Sequence, residues 1–383
     1  MTAEAQVKGW CPGAWRPMAS GDGLLVRIRP HHGRLTRTQL LAVCQAAETQ
    51  GSGLIELTNR ANLQLRGITE DAWPALMTNL AAHGLVDPDP ATESRRNIVL
   101  APDWQEGDAT DRAARLLMVR LGELPELPGK VGFAMDAGAA PQLSAVPADF
   151  RLERTADGRL LVRADGRRRG TPVTSVEHAV ALMIDLAHWF VDTGGKAAGR
   201  VRRHHQPLPD RAPEAAAPAD TIEPLSLGAH PLGHVFGLPF GRVHASVLKI
   251  ALERSDADSI RVTPWRRLLL EGAMPETLEG LISDDADPRL SVDACPGAPY
   301  CEQASVATQK LAADLSRRIG GRLHVSGCSK GCAAHQPAPI CLTGRNGRFD
   351  LILDGRADGL PTATDLEPSD VCDYLESIDA SRL

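Results

Sequence analysis

Thr58-Asn-Arg-Ala-Asn-Leu-Gln-Leu-Arg-Gly67 and Thr263-Pro-Trp-Arg-Arg-Leu-Leu-Leu-Glu-Gly272 are the two stretches whose likeness decides the fold. Thr and Gly stand nine positions apart in both, and each stretch follows a Gly-Arg pair (Gly33-Arg34, Gly241-Arg242) and a helical run. A second block repeats as well. Gly158-Arg159 leads through an apolar strand to Asp165-Gly166 and Gly170-Thr-Pro172, and Gly347-Arg348 leads likewise to Asp354-Gly355 and Gly359-Leu-Pro361. The offsets from the first Gly to the second Gly and to Pro are 8 and 14 in both halves. Agreement at so many spaced positions marks an internal duplication.

Each half reads as strand–helix–strand, then strand, helix, hairpin and helix. In the first, Leu24-Leu-Val-Arg-Ile-Arg29 alternates as a strand, Thr36 caps a helix to about Thr49, and Leu54-Ile-Glu-Leu57 is the return strand. Helices are expected from Asp111 to Leu121 and from Ser175 to Val191, with Leu160–Arg163 in a hairpin. In the second half the matching helices run from about Ala304 to Ile319 and from Ser369 to Ile378. The polar, Pro/Ala-rich stretch from Arg202 to Pro218 reads as linker. The fold class is α+β, built on a pseudo-twofold.

Length and charge bound the function. The 383 residues suit two or three domains, and 42 Lys+Arg against 48 Asp+Glu argue against a dedicated nucleic-acid binder. Met1 to Lys8 holds no apolar signal-peptide core, and no apolar run approaches a membrane span, so a cytoplasmic protein is expected. Only six of the basic residues are lysine. Base composition of the gene explains that bias, and arginines facing a polyanionic ligand are the functional alternative.

Four of the eight cysteines form two close pairs, Cys295-Pro-Gly-Ala-Pro-Tyr-Cys301 and Cys328-Ser-Lys-Gly-Cys332, separated by 26 residues. Both lie in Gly/Pro-rich loops. Four thiolates on two tight loops are what a cubane iron–sulfur cluster needs. Structural zinc is the competing reading, but its knuckles usually leave two to four residues between cysteines and the first pair leaves five. Plain packing is the third. Cys44 and Cys372 fall within helical patterns, Cys341 begins a strand, and Cys11 has loop character. The first half has no matching pairs; it reads Leu100-Ala-Pro-Asp103 and Gly132-Phe-Ala-Met-Asp136 there. A site built on the cysteines is therefore asymmetric.

A duplicated chain with these cysteine spacings in its second half and Leu57-Thr-Asn-Arg60 in its first resembles the sulfite and nitrite reductase superfamily over nearly its whole length. The resemblance implies that ferredoxin-like half-domains, 12–85 and 227–285, combine into one domain. Flanking α/β domains would be 90–200, without a cluster, and 286–383, carrying a 4Fe–4S cluster, with 201–226 as linker. In that superfamily a sirohaem sits at the junction, bridged to the cluster by the last cluster cysteine. Cys11-Pro-Gly13, Arg16-Pro-Met18 before Gly21-Asp-Gly-Leu-Leu25, and Ser326 to Cys332 leading to His335 are most similar to the precorrin-3B synthase family. That likeness implies a monooxygenase of aerobic cobalamin biosynthesis that hydroxylates precorrin-3A at C20 with lactone formation. It further implies dioxygen, one 4Fe–4S cluster and a non-haem iron whose ligands the sequence does not identify. Electrons would come from an external donor using NADH, since no dinucleotide fingerprint follows a strand.

Carried over residue by residue, Cys295, Cys301, Cys328 and Cys332 match the cluster ligands. Arg29, Arg60 and Arg96 match arginines lining the tetrapyrrole and anion pocket, and Lys130 matches the first of two sulfite-binding lysines. The second lysine is replaced by Gly132. That loss weighs against sulfite reduction, where developing oxyanion charge needs several fixed cations. Cations serve a precorrin equally, because arginine's planar fork binds carboxylates in bidentate fashion. His31-His32 follows Arg29 and Pro30; it reads first as a polar turn and second as candidate iron ligands. The alternatives are a sirohaem-dependent sulfite or nitrite reductase and a non-catalytic electron carrier.

Overall fold

The computed structural model describes residues 10–272 and 277–377. The opening Met1–Lys8 and the helix end expected at Ile378 lie outside that range. Four five-stranded sheets carry the chain, and the duplication appears in how they exchange strands. The first sheet orders β1 (Met18–Ser20), β2 (Gly23–Ile28), β5 (Leu63–Ile68), β4 (Leu54–Leu57) and β13 (Arg242–His244). Its mirror orders β11 (Gly228–His230), β12 (Gly233–Gly237), β15 (Arg267–Glu271), β14 (Ser259–Val262) and β3 (Arg34–Thr36). Thus each half lends one short strand to the other half's sheet. Arg242 pairs with Glu56, and Arg34 with Arg261. Helices α1 (Arg37–Gln50) and α7 (Ala245–Glu253) pack side by side over these sheets, joined by α2 (Trp73–Ala82). One apolar core runs through both, from Val26 to Leu281. Burying that core on the exchanged strands makes the two halves a single unit.

The repeat that opened the sequence reading is visible atom by atom. Thr58 Oγ1 accepts from the N–H of Arg60 and Asn62, and Thr263 Oγ1 accepts from the N–H of Trp265 and Arg267. Three residues after each Thr the backbone turns left-handed, at Ala61 (φ 54°) and Arg266 (φ 58°).

The flanking sheets are also topological twins. In one, β6 (Ile98–Leu100), β7 (Phe133–Met135) and β8 (Phe150–Arg154) run parallel, and β9 (Leu160–Ala164) and β10 (Thr171–Val173) complete an antiparallel edge. In the other, β16 (Val292–Ala294), β17 (Leu323–Ser326) and β18 (Ala338–Arg345) run parallel, with β19 (Arg348–Gly355) and β20 (Ala363–Leu366) antiparallel. The first carries α3 (Pro90–Arg95), α4 (Ala109–Val119), α5 (Val176–Asp192) and the short α6 (Gly195–Ala198) in its half; the second carries α8 (Gln309–Arg318) and α9 (Val371–Ser377).

Local signals account for most boundaries. Thr36 and Gln39 form a reciprocal capping box at the start of α1, Asp108 caps α4 and Ser175 caps α5. One boundary moves. The helix expected from Ala304 starts only at Gln309, because residues 298–306 bond to the cysteine loops instead. Ala298 N–H donates to Val306 O, Ala304 N–H to Cys301 O, and Ser305 N–H to Gly327 O. The Pro/Ala-rich stretch after α6 lies along the first flanking sheet, where Ala219 N–H donates to Arg154 O and Ile222 N–H to Pro141 O. Among the described residues no helix is long and apolar enough to cross a membrane.

Candidate functional site

The second flanking sheet ends where the chemistry begins. Cys295 directly follows β16, and Cys328 lies two residues beyond β17, so both occupy loops at the carboxyl ends of neighbouring parallel strands. That edge of an open α/β sheet is where ligands usually bind. The two loops approach very closely. A Cβ on Gly327 would lie 2.6 Å from that of Ala304, and one on Gly297 would lie 2.6 Å from Thr308 Oγ1. Only glycine fits at these crossings. Gly327 N–H also donates to Cys295 Sγ at 3.1 Å, a polar contact that suits a thiolate.

Cys295, Cys301, Cys328 and Cys332 all line one cavity of about 730 Å³ between the cysteine loops and the first sheet. Burial pushes the Cys295 thiol up, and the charges of Cys328 and Cys301 add to that against the Gly327 and Gly297 N–H groups. Cys332 is exposed on the cavity. Partial desolvation pushes it up to about 11; Lys330 pulls the other way, and Cys295, Cys328 and Cys301 reinforce the rise. Thiols in such a place ionise readily only when a cation binds them. Among the described residues no three His, Cys, Asp or Glu side chains converge as the ligands of a lone ion. Four sulfurs ringing one wall fit a cluster, which is itself several ångströms across, better than tetrahedral zinc.

The opposite wall carries polar side chains from a row in register across four strands: Arg27 (β2), Gln64 (β5) and Glu56 (β4) line the cavity, and Arg242 (β13) continues the row behind Glu56. Arg27 donates to Gln64 Oε1 at 2.5 Å, Gln64 donates to Glu56 Oε2, and Arg242 donates to Glu56 Oε1 at 2.5 Å. Arg66, also on the cavity, binds Glu56 and Asp22. Burial opposes its charge, but the two carboxylates outweigh that and raise it. Arg266, Arg267 and Arg289 line the cavity too, paired with Asp293, Asp285 and Asp287 respectively. Arg27 differs. No carboxylate pairs with it among the described residues, and burial, Arg29 and Arg60 lower it to about 10 despite support from Cys11.

Arg29, Arg60, Arg96 and Lys130 are not among the cavity-lining residues. Arg29 continues the outward face of β2, but the buried Glu93 takes its fork at 3.1 Å and takes Arg96 at 2.5 Å. Arg96 in turn donates to Arg29 O, and Arg29 Nε is left buried without a partner. Arg60 donates to Lys130 O at 2.9 Å, and burial lowers its pKa. Arg29 and Arg60 act on Arg27 as positive charge from outside the wall. Sequence reasoning passed over Arg27, Gln64, Glu56 and Arg66. The signal was present as alternation, since Leu63 and Leu65 are buried in the core while Gln64 and Arg66 reach the cavity.

His31 and His32 form the tight turn read from sequence, with His32 at φ 54°. His32 Nδ1 lies 3.6 Å from Asp111, and the ring meets Trp104 edge-on. Burial brings His31 down to about 4. Cys44 and Cys372 are buried on α1 and α9, and Cys341 lies inside β18 beside His324 Nδ1 at 3.5 Å.

Residues 16–83 match the nitrite/sulfite reductase ferredoxin-like half domain. The chain is 31% identical to a precorrin-3B synthase from Sinorhizobium sp, over 94% of this chain and 86% of that one. It is 25% identical to a ferredoxin–nitrite reductase from Synechococcus elongatus, over 89% of this chain and 80% of that one. The solved structure of the Mycobacterium tuberculosis NirA protein superposes with a TM-score of 0.61 at 17% identity, covering 92% of this chain and 79% of that one. That last likeness concerns the fold: the duplicated nitrite/sulfite reductase-like α+β architecture.

Proposed function

The chain belongs to the precorrin-3B synthase family of the nitrite and sulfite reductase superfamily, and from that premise we propose that it oxidises an acidic tetrapyrrole held between the cysteine loops and the polar row. The single observation that carries this is the gathering of Cys295, Cys301, Cys328 and Cys332 on one wall of a cavity whose facing wall presents Arg27, with which no carboxylate pairs among the described residues. In this reading the substrate is precorrin-3A and the product precorrin-3B, hydroxylated at C20 with lactone formation. Dioxygen supplies both oxygens: one enters the product and the other leaves as water, with two electrons and two protons consumed. NADH, through a separate reductase, is the electron source, and the reaction runs in the cytoplasm.

The four cysteines would hold a 4Fe–4S cluster, which when bound supplies single-electron transfer. The protein's own part is binding and orientation. Arg27 offers a desolvated guanidinium to a substrate carboxylate, and an ion pair there relieves the cost of its burial. Arg29 and Arg60 add positive potential behind it, Arg96 props Arg29 through Glu93, and the Lys130 carbonyl holds Arg60. Leu25, Leu57, Leu238, Phe240 and Trp265 give the apolar surface on which a macrocycle lies flat and from which water is excluded. The non-haem iron has no ligand set among the described residues.

The likeness to a nitrite reductase keeps one alternative, a sirohaem enzyme. One experiment separates the two. Protein purified without oxygen is scanned for visible absorbance and then given precorrin-3A with and without dioxygen. A broad cluster band without haem peaks, and a product gaining oxygen only when dioxygen is present, is expected. A sharp haem spectrum with nitrite turnover would replace this reading by the alternative.

A further inference from the structure

The loop between Cys295 and Cys301 is gripped from outside its own domain. Arg66, on β5 of the first half, donates through Nη2 to Tyr300 O at 2.5 Å. The same guanidinium donates to Ser20 Oγ at 2.8 Å and to both oxygens of Asp22, at 2.9 and 3.0 Å. Ser20 Oγ donates to Tyr300 O as well, at 2.7 Å. Arg242, on β13, lies 4.7 Å above the Tyr300 ring and shares the buried Glu56 with Arg66. The β1–β2 turn presses on the loop so closely that a Cβ on Gly21 would lie 2.5 Å from Pro299 O. Two strands of the other sheet, β1 and β5, thus hold the carbonyl immediately before Cys301, and a third, β13, meets the ring of the same residue.

The pseudo-twofold supplies a mirror image of this grip. Register places Arg261 where Glu56 stands, Glu271 where Arg66 stands, and Arg34 where Arg242 stands. Arg261 pairs with Glu271 at 2.5 Å and donates to Pro102 O at 2.9 Å and to Trp104 O, with its guanidinium 4.3 Å from the Trp104 ring. Both grips hold the loop after the first strand of the opposite flanking sheet by its carbonyls and its aromatic ring. Only one of those loops carries cysteines.

We propose that Arg66 is a positioning residue for the cluster, a latch that holds Tyr300 O and thereby sets Cys301 toward Cys295, Cys328 and Cys332. The proposal rests on the reading of those cysteines as cluster ligands. Its physical basis is preorganisation: a partner that holds the atoms next to a ligand commonly contributes 10- to 100-fold to metal affinity. Five donor contacts from a planar fork cannot be reproduced by an ammonium, so Arg66→Lys keeps the charge and loses the latch.

The test uses the holoprotein prepared without oxygen and follows release of iron to a chelator together with the EPR spectrum of the reduced cluster. Arg66→Lys should release iron about tenfold faster or more and shift the EPR line shape. Gly21→Ala, which strikes the loop from outside without touching Arg66, should do the same if Arg66→Lys fails to fold. Arg261→Lys, the equivalent lesion in the cysteine-free half, should leave both readouts at wild type. Wild-type release and spectra in Arg66→Lys and Gly21→Ala overturn the latch, as does an equal acceleration in Arg261→Lys. Protein without iron or sulfide in the wild type would instead overturn the reading beneath it.

Discussion

The two flanking sheets have the same strand order, the same parallel and antiparallel pairings and the same hairpin, yet only one ends in an open site. After β6 the first reads Ala101-Pro-Asp-Trp104, and Trp104 is buried, filling the corner against Arg261 and His32. After β7 it places Asp136, whose carboxylate accepts from the N–H of Gln142 and Leu143 at 2.7 Å and closes the loop on itself. The second sheet puts Cys295 and Cys328 at the corresponding ends and leaves their loops facing a cavity. One scaffold thus serves two purposes. Strand pairing fixes where loops emerge, and a few residues at the strand ends decide whether a loop closes a corner or lines a cavity.

The comparison breaks most sharply at the cysteines themselves. Cys295→Ala writes the first half's Ala101 into the second; it should abolish the cluster's absorbance and lower turnover by more than about 100-fold. The folded core should survive, as judged by far-ultraviolet circular dichroism. A cluster retained at wild-type iron content would remove Cys295 from the ligand set.

Next in size are the two shared carboxylates. Glu56→Ala strands Arg242 in the interior and leaves Arg66 only Asp22, and losing one partner of a buried ion pair costs about 3–5 kcal/mol. Glu271→Ala strands the buried Arg261 in the same way, while Arg34, 43% exposed, can turn to water, so a loss of similar size is expected in the same urea titration. A loss much smaller in one variant than in the other would show that the two grips are energetically unlike.

The effect that depends on pH concerns Asp136. Burial first, then Glu153 and Asp103, raise its carboxyl to about 7 in spite of its two backbone donors, and Oδ1 is buried without a partner. The folded state therefore holds this proton more tightly than the unfolded chain. Its stabilising contribution is complete below about pH 4 and is lost as pH rises through about 7. Asp136→Asn should lack that loss, so unfolding free energies of the two proteins should diverge between pH 4 and 7 in the wild type's disfavour. Parallel curves would contradict the raised value.

Much of this was legible beforehand. Spacing alone revealed the duplication, since turn geometry at Thr58 and Thr263 and at Gly158 and Gly347 tolerates few residue types. Capping residues and apolar periodicity placed α1 and α5 within a residue or so. That the two cysteine pairs stand on tight loops was legible too, because each pair's spacing is local; the structure sets all four on one cavity. The polar wall was not. Arg29 and Arg27 look equivalent along one strand face, and Glu93, 64 residues beyond Arg29, decides which of them has a carboxylate partner. Nor can a sequence show that strands β3 and β13 change sheets, or that the resulting grips exchange acid for base across the pseudo-twofold. Such facts depend on long-range pairing, to which residue patterns are blind.

The claim on which the rest depends is that Cys295, Cys301, Cys328 and Cys332 act together on one cubane. Iron and acid-labile sulfide measured on protein purified without oxygen test it most directly. The account predicts about four of each per chain, falling together when any of the four cysteines is replaced and unaffected by replacing Cys341. Stoichiometric zinc with no sulfide, or iron that survives loss of these cysteines, would contradict it.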